Sequence, residues 1–308
     1  MEEKSRIISL PKILDKRGNL SFIESLQHVP FEIKRAHWIY DVPGGQTRGG
    51  HAYIETQEFI VAMSGSFDVI LHENDGNKTV SLNRSYYGLY VPAGTWRELC
   101  NFSSNSLALV LSSTYFDEMD YIDNYNIYQR KTFGKDWSES KVIDRIVKSQ
   151  KYDAHRTSVF DCTLLELDKH TSELGNLSVM ENRHSIPFDI RRTYYLYDIP
   201  GGESRGAHAH KKLQQFIVSV GGSFDITLDD GLNKRTFTLS RPYYGLLIPP
   251  GIWRDLVNFS AGATCLVLAS EHYDADDYIR NYDEYVKFKT SIVSVSYTHL
   301  TLPTNSRV

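Results

Sequence analysis

Cysteine is scarce in this chain. Cys100, Cys162 and Cys265 are the three in 308 residues, too few and too odd in number for a disulfide scaffold. Two of them lie in apolar runs, where a thiol serves as a small buried hydrophobe, and a reducing cytoplasm is the expected setting. Long apolar runs are missing too. None approaches the roughly 18 residues that a membrane-crossing helix needs, so no membrane partner is expected. The opening Met1-Glu-Glu-Lys-Ser-Arg has no apolar export signal. Nor does one sign of charge dominate: the net charge is −4, which gives no reason to expect nucleic acid. What the chain does have is ordinary globular composition, with 41% hydrophobic and 23% charged residues. Its length suggests two domains or one large one. Tyrosine outnumbers phenylalanine 20 to 14, which suits strands and polar-lined clefts.

An internal repeat sets the architecture. Phe31-Glu-Ile-Lys-Arg matches Phe188-Asp-Ile-Arg-Arg, and Tyr40-Asp-Val-Pro-Gly-Gly matches Tyr197-Asp-Ile-Pro-Gly-Gly. Arg48-Gly-Gly-His51-Ala-Tyr53 matches Arg205-Gly-Ala-His208-Ala-His210, and Trp96-Arg97 matches Trp253-Arg254. Every pair is 157 positions apart, so neither copy carries an insertion and both should share one fold. Their mutual packing is expected to imitate a homodimer.

Each copy reads as all-β. Phe59-Ile-Val-Ala-Met and Phe216-Ile-Val-Ser-Val are short apolar runs ended by glycine, and Phe67-Asp-Val-Ile-Leu and Phe224-Asp-Ile-Thr-Leu follow them. Asn74-Asp-Gly-Asn and Asp229-Asp-Gly-Leu-Asn carry hairpin-turn chemistry. Helical spacing is confined to Asp117–Tyr128, Asp274–Tyr285 and a serine-led stretch from Ser138 to Val147. The expected division is a first domain over 1–130, a polar linker over 131–158, a second domain over 159–293, and a tail over 294–308. That tail lacks periodicity, resembles translated adapter sequence, and is left out of the fold.

The chemistry gathers around Arg205-Gly-Ala-His208-Ala-His210. Residues i and i+2 of a strand face one side, so two imidazoles would project together into a barrel. Downstream runs Gly245-x3-Pro249-x-Gly251-x2-Arg254-x3-Asn258, echoed by Gly88, Pro92, Gly94, Arg97 and Asn101. This pair of motifs resembles the cupins. The resemblance implies two tandem jelly-roll (double-stranded β-helix) domains with a few short helices. Metal-binding cupins use two His, a Glu and a third His. Gln214 and Gln57 are read at the Glu position, and Arg254 and Arg97 at the third His. A guanidinium has no lone pair to offer and its charge opposes a cation, so no metal and no cofactor are expected. Neutral imidazoles serve instead as acid–base groups. Arg192, Arg205 and Arg254 supply forked cationic donors. Tyr194, Tyr195, Tyr243, Tyr244 and Trp253 offer rings to a ligand, against the simpler role of filling the core.

Phe188-Asp-Ile-Arg-Arg, Arg205-Gly-Ala-His-Ala-His-Lys-Lys-Leu, Leu266-Val-Leu-Ala-Ser and Asp277-Tyr-Ile-Arg-Asn-Tyr resemble the dTDP-4-keto-6-deoxyglucose 3,4-ketoisomerases, WxcM-like cupins of deoxysugar and polysaccharide biosynthesis. The likeness spans nearly all of both copies and is sharper in the second. It implies a metal-independent isomerase of a dTDP-sugar with His208 and His210 as the catalytic pair. It also implies Arg192, Tyr195, Arg205, Trp253 and Arg254 around the substrate. The first copy departs: Tyr53 stands where His210 stands, and His37-Trp38 replace Tyr194-Tyr195. Arg35, Arg48, His51, Tyr53 and Arg97 would form a second, degenerate site. A non-catalytic nucleotide-sugar-binding cupin and a metal-dependent cupin stay open as alternatives. An epimerase is a fourth reading, although its usual His–Asp dyad is not identifiable in the sequence.

Overall fold

The computed structural model describes residues 4–73, 76–131 and 151–291, and in it the two repeats build one antiparallel sandwich twice. Each sandwich sets a seven-stranded sheet against a five-stranded one. The five-stranded sheet of the second runs Lys234–Leu239, Phe224–Asp229, Trp253–Val257, Arg205–His210, Tyr278–Ile279; the first repeats it with Gly76–Leu82, Phe67–Glu73, Trp96–Cys100, Arg48–Tyr53, Tyr121–Ile122. The turn Asp230-Gly-Leu-Asn closes as its residue types predict, Asp230 Oδ1 accepting from the N–H groups of Leu232 (2.9 Å) and Asn233 (2.7 Å).

The seven-stranded sheets do not respect the sequence boundary between the repeats. The first ends on Arg35–Tyr40, then Gly175–Glu181 and Asp168–Ser172 from the second repeat. The second ends on Arg192–Tyr197, then Asn19–Glu24 and Lys12–Ile13 from the first. Each repeat thus lends a hairpin to the other, in a register that runs from Arg192 against Glu24 to Tyr197 against Asn19, and from Arg35 against Glu181 to Tyr40 against Asn176. The contiguous division into 1–130 and 159–293 describes the repeats but not the barrels they complete.

This exchange explains why the strand runs are apolar throughout. Phe216, Val218 and Val220 face a core shared between the two halves, while Ile217 faces the interior of its own barrel. Phe59, Val61 and Met63 join the same shared core, while Ile60 and Ala62 turn inward. Both faces are buried, so no polar alternation survives in the sequence. The parity reaches the tyrosines. Tyr195 and Tyr197 point into the shared core, and Tyr194 and Leu196 into the second barrel.

The expected helices over 117–128 and 274–285 are corrected to shorter ones. Asp117 and Asp274 cap three-residue turns, a two-residue strand follows each, and the helices proper are Tyr125–Lys131 and Tyr282–Thr290. The short strands pair with the histidine strands, Tyr278 opposite His210 and Tyr121 opposite Tyr53. The helix expected over 138–147 and the tail over 294–308 lie outside the described residues. Residues 151–158, read as linker, lie against the second barrel: Thr157 Oγ1 donates to the Pro250 carbonyl at 2.6 Å, and Lys289 Nζ to the carbonyls of Ala154 (3.1 Å) and Thr157 (2.5 Å).

Candidate active site

The motif strand of the second repeat is kinked. Pairing with Trp253–Val257 slips between Gly206 and His208, a bulge in which Gly206 has φ +97° and Ala207 φ +52°. A Cβ on Gly206 would sit 2.7 Å from the Arg254 carbonyl, so only glycine fits there. The bulge folds the His208 ring back, and His208 Nδ1 lies 3.0 Å from the Gly206 carbonyl. A carbonyl only accepts, so Nδ1 carries the proton and Nε2 holds a lone pair. That Nε2 is buried and has no partner.

His210 sits behind it, 1% exposed, the two rings 5.0 Å apart and perpendicular. Its Nδ1 lies 2.8 Å from Asp277 Oδ2, while Asp277 Oδ1 accepts from the Lys212 N–H at 2.7 Å. A His–Asp dyad is therefore present, contrary to the reading of the sequence. The carboxylate fixes the Nδ1–H tautomer and leaves Nε2 as the base. The Tyr278 ring packs against both imidazoles, at 5.0 and 4.3 Å. Burial, reinforced by the Arg254 charge, holds both histidines well below the ordinary imidazole value, so both are neutral near pH 7.

Arg254 is a buried cation without a carboxylate in its hydrogen-bonding shell. It donates through one terminal nitrogen to Gln215 Oε1 (2.6 Å) and through the other to the carbonyls of His208 and Ile252 (3.3 Å each). Burial pulls its pKa down to about 10, still well above neutrality. Because arginine can only donate, the oxygen of the Gln215 amide faces it. The Gln215 NH₂ therefore donates to the Tyr194 hydroxyl at 2.7 Å and lies 3.5 Å from His210 Nε2. Gln215, not Gln214, reaches Arg254 and His210, and its counterpart in the first barrel is Glu58, not Gln57. The one-residue error arises in the loop of Lys211 and Lys212, where strand alternation gives no guide.

A cavity of about 490 Å³ opens on this cluster, and Arg192, Tyr194, Arg205, His208, Gln215 and Arg254 line it, joined by Tyr273, Tyr278 and Arg280. Asp15, Arg17, Leu20 and Phe22 also line it, and they belong to the hairpin lent by the first repeat. Asp15 lies 2.8 Å from Arg17 and 3.0 Å from Arg205, and Arg205 also donates to the Gly18 carbonyl at 2.9 Å. Two expected contacts are corrected. Tyr195 is fully buried in the shared core, its hydroxyl on the Ser85 carbonyl of the other repeat. Trp253 packs with Ala209, Ile279 and Tyr285 on the side away from the cavity. Tyr243 and Tyr244 lie outside it as well. Asp277 and Tyr278 stood within the matched sequence Asp277-Tyr-Ile, but their helical spacing concealed a strand that pairs with His210.

The first barrel gathers Arg35, His37, His51, Tyr53 and Arg97 into one buried cluster, with Arg48 nearer its edge and donating to the Asn176 carbonyl at 3.3 Å. Here Arg97 is paired: Nε and one terminal nitrogen donate to Glu58 at 2.8 and 2.9 Å. The other reaches the Gly49 carbonyl at 2.6 Å and His51 Nδ1 at 2.9 Å. Tyr121 O–H is 2.7 Å from the same Nδ1. Facing a guanidinium, His51 Nδ1 must be the acceptor, so Nε2 carries the proton, the reverse of His208. Burial pushes Tyr53 up to about 12, which rules it out as a base near neutrality. Asp120, the counterpart of Asp277, is taken by the N–H groups of Glu55 (2.6 Å) and Thr56 (3.2 Å) and by the Thr56 hydroxyl. Among the described residues no group of three or more His, Cys, Asp or Glu is placed to hold a metal ion, and no helix is long and apolar enough to cross a membrane.

The FdtA family (WxcM-like, C-terminal) matches residues 3–132 and again 160–290. A TDP-4-oxo-6-deoxy-alpha-D-glucose-3,4-oxoisomerase from Aneurinibacillus thermoaerophilus is 41% identical over 129 residues, 42% of this chain and 93% of that protein. Among solved structures, the WlaRB TDP-quinovose 3,4-ketoisomerase of Campylobacter jejuni is 46% identical, covering 42% of this chain and 99% of that one with a TM-score of 0.41. QdtA, a sugar 3,4-ketoisomerase from Thermoanaerobacterium thermosaccharolyticum solved with TDP, is 37% identical over 44% of this chain and 98% of its own, with a TM-score of 0.43.

Proposed function

The chain belongs to the WxcM-like FdtA family and carries its domain twice, and from that membership we propose that it is a 3,4-ketoisomerase of a dTDP-4-keto-6-deoxyhexose, working from the second barrel without a metal. The observation that carries the reading is the buried, unpartnered Nε2 of His208 on the wall of the cavity, with the unpaired Arg254 charge beside it.

The ketone at C4 acidifies the hydrogen on C3. An imidazole lone pair takes that proton and leaves an enediolate. A proton passes from the C3 oxygen to the C4 oxygen and another is delivered to C4, so the ketone ends at C3. Only protons move. His208 and His210 divide the transfers, each positioned acid–base group contributing about 10²–10⁴-fold. Asp277 orients His210 and steadies its protonated form. Arg254 and Arg192 face the developing oxyanion from a water-poor wall. Arg17 and Arg205, held together by Asp15, offer forked donors to the diphosphate. The two halves stand as the subunits of a dimer would, each completing the other's barrel.

Incubation of dTDP-4-keto-6-deoxyglucose with the protein in D₂O, followed by NMR, tests this. A 3-keto product with deuterium at C4 is expected. Unchanged sugar with no exchange defeats the isomerase reading and favours a binding protein. The His210–Asp277 dyad gives the epimerase reading one observation in its favour, and deuterium entering with inversion while the ketone stays at C4 would establish it.

A further inference from the structure

Glu58 and Gln215 occupy one register in the two barrels. Glu58 lies opposite Val91 and Ser112, and Gln215 opposite Ile248 and Ala269, each pair offset by the repeat. The two side chains differ by one atom type, an oxygen for an NH₂. Around them the hydrogen bonds are rearranged.

In the second barrel Gln215 takes one bond from Arg254, and the remaining guanidinium nitrogen goes to the carbonyls of His208 and Ile252. The Gly206 carbonyl is left for His208 Nδ1–H. In the first barrel Glu58 takes two parallel bonds from Arg97, the fork geometry that a carboxylate favours. That turns the third guanidinium nitrogen onto the Gly49 carbonyl and onto His51 Nδ1. Gly49 is the counterpart of Gly206. The carbonyl that fixes the tautomer of His208 is thus taken by arginine in the first barrel, and His51 Nδ1 becomes an acceptor.

We propose that the residue at this register, Gln215 or Glu58, is a positioning residue that decides through its arginine which nitrogen of the motif histidine holds the lone pair, and that Glu58 thereby silences the first barrel. The glutamine leaves Nε2 of His208 as a base. The glutamate places the proton on Nε2 of His51 and the lone pair on Nδ1, under arginine. It also neutralises the guanidinium charge that an enediolate would need. Tyr53 and the occupied Asp120 make the first barrel's silence deeper, but the tautomer is inverted whether or not they are repaired. The catalytic half of this assignment rests on the isomerase reading; the tautomer half does not.

The experiment uses the full chain labelled with ¹⁵N-histidine, in wild type, Gln215→Glu and Glu58→Gln, at a pH where the imidazoles are neutral. Two-bond ¹H–¹⁵N spectra distinguish pyrrole-like from pyridine-like nitrogens. In wild type, His208 is expected with a pyridine-like Nε2 and His51 with a pyridine-like Nδ1. Gln215→Glu should exchange the two nitrogens of His208 and lower kcat by about 100-fold or more, the share of one general base. Glu58→Gln should exchange those of His51. An unchanged tautomer in either variant overturns the proposal, and so does an exchanged His208 with full turnover. If wild type turns over no ketosugar, the isomerase reading falls and the spectra alone decide the tautomer assignment. If Gln215→Glu fails to melt as a folded protein, Glu58→Gln decides.

Discussion

The two barrels share a fold and a strand register, yet they present opposite interiors. The apolar positions that build the sandwich are kept at an offset of 157 residues, and so are the arginines at 35 and 192, 48 and 205, 97 and 254. The differences that reach the two clusters include Tyr53 for His210, Glu58 for Gln215, His37 for Tyr194, and Ser172 and Leu174 where the other hairpin has Asp15 and Arg17. A jelly roll is held by its buried apolar faces, which are insensitive to such changes. A proton-transfer site depends on individual lone pairs and charges, and one amide-to-carboxylate exchange reorders them. One half can therefore lose chemistry while still supplying scaffold and a hairpin to the other.

The sharpest way to break this comparison is to remove the imidazoles one barrel at a time. His210→Asn or His208→Asn should lower kcat by about 10²–10⁴-fold, the range of a positioned acid–base group. His51→Asn should leave it within about twofold. Assaying the three side by side on dTDP-4-keto-6-deoxyglucose decides it, and a deep loss in His51→Asn with turnover kept in His210→Asn would reverse the roles of the two halves.

A smaller effect tests whether the first half serves the second. Asp15 stands 190 positions before Arg205 and reaches it only by way of the exchanged hairpin, where it holds Arg17 and Arg205 at the cavity. Asp15→Ala should free both guanidinium groups and raise KM for the dTDP-sugar about tenfold, the share of a charge-assisted bond, with kcat little changed. Ser172→Ala, at the equivalent position of the other hairpin, should alter neither. Equal effects from the two would mean that the second cavity does not depend on the first repeat.

The repeat, the all-β class and the tandem jelly rolls were legible in the sequence, because turn residues and apolar runs are local signals. The exchange of hairpins was not. Asn19–Glu24 has the same pattern whether it closes its own barrel or its neighbour's, and pattern carries no partner identity. Parity failed at Tyr194 and Tyr195 for a related reason: in a strand buried on both faces, hydrophobicity does not say which face meets the cavity. His208, His210, Arg192, Arg205 and Arg254 could be named because the motif is short and continuous. Asp277 could not be assigned as a partner, since it meets His210 from 67 residues away through a two-residue strand. Glu58 escaped through the slip by one residue that put Gln57 in its place.

The smallest effect is one that both barrels should show alike. Burial lowers the pKa of His37 and His51 in the first barrel and of His208 and His210 in the second. A group whose folded pKa lies below its unfolded value of about 6.5 leaves stability intact above that value; as pH falls below it, the unfolded chain binds protons that the native chain refuses, and stability drops. Each such histidine adds up to about 1.4 kcal/mol per pH unit to the slope below pH 6.5. His51→Asn and His208→Asn should each flatten that slope by about one proton's worth, measured as urea midpoints between pH 7 and 5. Turnover distinguishes the barrels and the acid slope does not, because desolvation acts on any buried imidazole whichever nitrogen holds the lone pair. A slope altered by His208→Asn alone would mean that the first cluster admits water and protons freely, and its silence would then need a cause other than its internal hydrogen bonds.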